Sequence, residues 1–147
     1  MQQRQIHASG GLRTYAVVLE TGEEVMECLS RFAAAEGVSA AQITAIGAFQ
    51  SAVLMYFDWE KKDYLRIPVQ EQVEVASMIG DIAEGPDGAP SLHVHLVLGR
   101  RDGTALAGHL GQAHVRPTLE VIVTENPVHL RKVKDKASGL ALIRPAA

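Results

Sequence analysis

Apolar residues recur with period two through most of the chain and with helical period in one stretch near its start. The clearest alternation runs from Leu92 to Leu98, with Val94, Leu96 and Leu98 on one face and His93, His95 and Val97 on the other. This is the pattern of a strand with one buried side. Beyond Arg101-Asp102-Gly103, a hairpin signal, Ala105, Ala107 and His109 alternate with Leu106, Gly108 and Leu110. Other strands are predicted at Tyr15 to Leu19, at residues 41–47 with an end near Gly47, and at 51–60. A short strand over 64–69 carries Pro68, which marks an edge or an end. Residues 70–82 read as one long strand, with Val73, Val75, Ser77 and Ile79 set against Glu74, Ala76 and Met78, followed by a loop over 84–90. Pro117 interrupts the chain before a strand over 118–125, and Leu140 to Ile143 gives a last one.

The helical stretch starts at a capping-box pattern, Thr21 to Glu24, whose hydroxyl and carboxylate can satisfy orphan amides. Val25, Leu29, Phe32, Ala33 and Glu36 follow helical spacing, and Gly37 is a natural C-terminal cap. The single apolar side of this helix suits packing on a sheet. The expected fold class is α+β, one main helix on a largely antiparallel sheet. Residues 1–12 read as a flexible lead-in, 13–143 as the domain and 144–147 as a tail.

The hairpin register decides what its histidines can do. A three-residue loop with Gly103 in the left-handed conformation pairs Arg100 with Thr104 and so His95 with His109, with His93 diagonal on the same face. A two-residue Asp102-Gly103 turn would put His109 on the opposite side. In the first register three imidazoles meet, a ligand set that suits a zinc ion with an open fourth position. Nickel, copper or iron also accept imidazole. The plainer alternative is that His93 and His95 are only the polar side of a half-exposed strand. His114 and His129 do not share the trio's face, and His7 falls in the lead-in.

Composition narrows the rest. The 147 residues are 47% hydrophobic and 21% charged, and the net charge of −3 gives no general basic footprint for nucleic acid. Only residues 129–136, HLRKVKDK, cluster positive charge. Cys28 is the single cysteine and falls on the helix as a buried, inert thiol. No apolar run approaches the roughly 18 residues of a membrane span, and the chain reads as cytoplasmic. Many strands with few aromatic residues leave sheet edges and faces to cover, so self-association is expected.

In order, TGEEVMECL, IGAFQSAVLMYFD, QVEVASMIGDI, HVHLVLGRRDGTALAGHL and TLEVIV resemble the PPC domain, the plants and prokaryotes conserved domain, across residues 13–143. The resemblance implies a homotrimer and, as in prokaryotic members, a three-histidine metal site usually taken as zinc. Its motifs fall here on His93, His95 and His109. The family is commonly labelled DNA-binding because plant members couple the domain to AT-hooks, and no Arg-Gly-Arg-Pro segment occurs in this sequence.

Three functions follow as alternatives. The first is a metal-binding trimer acting on, or holding, a small carbonyl or carboxylate compound, with Glu120 or Glu74 as acid/base partner. Each is an isolated acid in an apolar strand, which an exposed position or an intersubunit ion pair would also explain. The second is a scaffold for DNA or protein. The third is a purely structural metal. The sequence names no substrate and leaves open whether the protein is an enzyme.

Overall fold

The alternating stretches are strands in the computed structural model, which describes residues 1–145; positions 146 and 147 of the expected tail lie outside it. In chain order the elements are β1 (Gln2–Ser9), β2 (Leu12–Glu20), α1 (Val25–Glu36), β3 (Ala40–Asp58), β4 (Asp63–Val69), β5 (Val73–Glu84), β6 (Pro90–Gly99) and β7 (Ala105–Glu125). A small separate pair, β8 (Lys132–Lys134) and β9 (Ala141–Ile143), follows. The main sheet is antiparallel with the order β1-β2-β7-β6-β5-β3-β4, and β3 also pairs with β7. Strands β3, β5, β6 and β7 therefore close into a ring. Among the described residues the result is a mostly antiparallel β structure with one short helix.

Alternation sorts the side chains onto two faces. Tyr15, Val17 and Leu19 of β2, Ile43 of β3, Val94, Leu96 and Leu98 of β6, and Leu119, Val121 and Val123 of β7 turn inward. Val25, Leu29, Phe32 and Ala33 of α1 cover them, and Phe32 meets Tyr15 edge-on at 5.2 Å. Gly37 ends the helix at φ 64°, as its sequence position predicts. The start differs from expectation. Glu24 itself is the cap, its carboxylate accepting from Glu27 N at 2.7 Å and from Ala113 N at 3.1 Å. The Thr21 hydroxyl instead donates to the Pro117 carbonyl at 3.1 Å, so no capping box forms.

Four further expectations are corrected. The lead-in is a strand: β1 pairs along β2 with every side chain exposed, because its hydrogen bonds need no apolar face. Gly47 does not end a strand but lies within the 19-residue β3. A Cβ there would collide with the Thr118 carbonyl and come within 2.8 Å of Leu119 Cα, so the glycine permits a close crossing of β3 and β7. Pro117 does not interrupt β7, because it falls where the β3–β7 pairing skips between Val115 and Leu119 and no ladder amide is needed. In β5 the register shifts between Val75 and Ser77, which reverses the expected phase. Met78 is buried, and Ile79 is 57% exposed.

Gly47 also has φ 154°, which a side chain rarely adopts. Gly47→Ala is expected to lose about 1–3 kcal/mol of stability in chemical denaturation. Gly99→Ala, where the nearest non-neighbouring atom would be 3.8 Å away, is the control expected to change little.

Candidate metal centre

The hairpin that carries the histidines is built by its turn. Arg100 N donates to Thr104 O at 2.8 Å, Gly103 takes φ 82°, and Asp102 accepts from the Thr104 amide and hydroxyl. That three-residue loop sets His95 opposite His109, Leu96 opposite Gly108 and Val97 opposite Ala107. It is the register in which the imidazoles share a face. One nitrogen from each of His93, His95 and His109 lies within 4.8 Å of the others. His93 Nε2 and His95 Nε2 are 3.0 Å apart, and the His109 ring centroid is 3.9 Å from that of His95 and 5.1 Å from that of His93.

Burial pushes the imidazolium form of His109 down to about 4, with a further push from His95 and His93. Burial, then the neighbouring His93, lowers His95 as well. Both rings are therefore neutral donors at neutral pH, the state that metal ligation requires. The donor set fits a divalent ion that accepts imidazole.

The neighbours of the trio come from three other elements. Tyr64 of β4 sets its ring edge-on to His109 at 5.2 Å. Asp81 of β5 lies directly across from His93, with Oδ2 3.5 Å from His93 Nδ1. Its other oxygen, shut off from solvent, meets Lys132 Nζ of β8 in an ion-pair contact at 2.8 Å rather than a well-aligned hydrogen bond. Lys132 is only 3% exposed and also donates to Ser91 O at 2.9 Å. Burial would raise the Asp81 carboxyl, but His93 and Lys132 together outweigh it and hold it below the usual carboxylate value.

The structure does not bring Glu74 and Glu120 to the trio. Both line a separate depression with Ile46, Gly47, Pro117 and Thr118, and no histidine of the trio is in its wall. Glu74 pairs with Gly99 at the far end of the β5–β6 ladder, whereas Ile79 and Asp81 pair with His95 and His93. Five residues of strand, roughly 15 Å, separate Glu74 from Ile79. The carboxylate beside the trio is Asp81, which periodicity alone did not single out. The other histidines stay apart: His7 is on exposed β1, His114 pairs with Ser51, and His129 Nδ1 is 2.7 Å from the Ser39 hydroxyl.

Residues 6–127 match the model of the Plants and Prokaryotes Conserved (PCC) domain. The chain is similar to a metal-containing protein of known structure from Archaeoglobus fulgidus. Identity is 33%, covering 89% of this chain and 92% of that one, with a TM-score of 0.82. It is also similar to a candidate DNA-binding protein from Bacteroides thetaiotaomicron, at 26% identity over 96% of each chain and a TM-score of 0.87. A third likeness, 29% identical over 134 residues, is to the bifunctional protein GlmU of Synechococcus; the chain spans 20% of that protein's length.

Proposed function

The chain belongs to the Plants and Prokaryotes Conserved domain family, and we propose that it binds zinc through His93, His95 and His109. One coordination position stays free for a small carbonyl or carboxylate ligand. The observation that carries this reading is the convergence of three imidazoles from two strands, two of them held neutral by burial. Zinc held in this way supplies a Lewis acid to an oxygen of the ligand. The chain's own residues shape the approach: a depression beside His93 and His95 is walled by Gln42, Ile79 and Gly80. The metal-containing relative from Archaeoglobus supports the same reading.

The proposal includes a homotrimer. On the histidine face Ile122 pairs with Thr44, Thr44 with Ile79 and Ile79 with His95, a row that crosses four strands. Ile46, Ile79, Val97 and Ile122 are all exposed on it. Exposed apolar side chains gathered on one face are what association covers. A cytoplasmic setting suits the lone buried thiol of Cys28. Among the described residues, no helix is long and apolar enough to cross a membrane.

A second reading, a DNA-binding scaffold, draws support from the description of the Bacteroides relative. The net charge of −3 opposes it, and the basic segment is partly neutralised, since Arg131 pairs with Glu84 and Lys132 with Asp81. Elemental analysis and native mass spectrometry of untagged protein test the first reading. One zinc per chain and a three-chain mass are expected. Absence of metal after incubation with zinc, with salt-sensitive retardation of random duplex in a gel, would put the scaffold in its place.

A further inference from the structure

We infer that Asp81 is a positioning residue for the metal centre: anchored by Lys132, it holds His93 in the tautomer that leaves Nε2 free to ligate. This deepens the zinc reading and rests on it. The backbone makes the arrangement, because Asp81 and His93 are a direct cross-strand pair in the β5–β6 ladder. The register shift between Val75 and Ser77 is what turns the carboxylate onto the histidine face. Gly80, next along, lets the strands lie close, since a Cβ there would come within 3.1 Å of Val94 Cα.

The orientation of each atom is settled by what surrounds it. His93 Nε2 faces His95 Nε2 at 3.0 Å, toward the point where the trio converges, and Nδ1 faces Asp81 Oδ2 at 3.5 Å. That contact is longer than a hydrogen bond, and its pull on the ring is electrostatic. An ionised carboxylate only accepts, so Nδ1 must carry the proton and Nε2 the lone pair. The Lys132 ammonium, 2.8 Å from the other oxygen, holds the carboxylate in place by its charge. Ligating histidines commonly have such an outer partner, which sets the tautomer and raises the donor strength of the other nitrogen.

Asp81→Asn tests this with little change of shape. The Lys132 ammonium would capture the amide oxygen and turn the amide NH2 toward His93. Nδ1 must then accept, and the proton moves to Nε2, the ligand atom. Two measurements are made: the His93 tautomer in zinc-free protein by long-range nitrogen–proton NMR, and zinc affinity by competition with a chromophoric chelator. The expectation is the Nδ1–H tautomer in the parent, Nε2–H in the variant, and affinity about 10–100-fold weaker in the variant. A parent His93 already carrying its proton on Nε2 would overturn the inference. So would a variant that binds zinc within about two-fold of the parent, well short of the usual effect of an outer partner. If the variant does not fold, the parent tautomer alone decides. A parent that takes no zinc fails before any variant is compared, which separates the collapse of the metal reading from that of the Asp81 role alone.

Discussion

His109→Ala is expected to abolish stoichiometric zinc binding. His109 is the one ligand supplied from β7, and burial pushes its imidazolium form down to about 4. Without it the site keeps only a His-x-His pair on a single strand, two donors where a zinc ion ordinarily holds at least three. Loss of an outer partner alone weakens binding by roughly 10–100-fold, and loss of a ligand should exceed the upper end of that range. Elemental analysis after gel filtration would show zinc in the parent and almost none in the variant. His114→Ala, five residues further along the same strand and paired with Ser51, is the internal control and should keep its metal. Equal zinc in parent and His109→Ala would sink the three-histidine site.

The second large effect concerns stability. In Lys132→Met a chain of similar reach replaces an ammonium that is 3% exposed and that meets both Asp81 Oδ1 and the Ser91 carbonyl. The variant leaves a buried carboxylate oxygen with no counter-charge. Removing one member of a buried pair typically costs 3–5 kcal/mol, and because Asp81 is partly exposed the lower end, about 3 kcal/mol, is expected. For a chain of this size that is a fall of roughly 10 °C in thermal midpoint. The double variant Asp81→Asn with Lys132→Met should recover part of the loss, since neither charge is then left alone. An unchanged midpoint in Lys132→Met would mean that the pair contributes nothing net to the fold.

Why the trio could be read from sequence while Asp81 could not is a matter of turn chemistry. Arg101-Asp102-Gly103 admits a hairpin whose glycine sits in the left-handed region, and that turn alone fixes which residues of β6 and β7 oppose each other. The β5–β6 pairing passes through a longer loop, over residues 85–89, which has no comparable signature. A bulge at Ala76 then reverses the alternation, so Ile79, which periodicity groups with Val73 and Val75, faces out beside the histidines and Asp81 follows it. Lys132 was hidden for a different reason. A lysine in HLRKVKDK looks solvated, and the approach of β8 to Asp81 and Ser91 buries it. The helix was legible over its full length, because apolar spacing and Gly37 depend on nothing distant. Its cap was not, because Thr21 is drawn away by a carbonyl 96 residues further on.

The closure of β3, β5, β6 and β7 also sets when the molecule can form. Strand β7 pairs with β2 over Thr118 to Glu125 and with β3 over His109 to Glu125. The first strands of the core thus wait for one of the last. A nascent chain on the ribosome has no partner for the inner edge of β2 until residues 118–125 have left the exit tunnel. Until then Tyr15, Val17 and Leu19 lack the β7 strand against which they are buried in the native state. Pairings between such distant segments carry a large loop-closure penalty before any contact rewards it, which places this fold among the slower small domains to assemble.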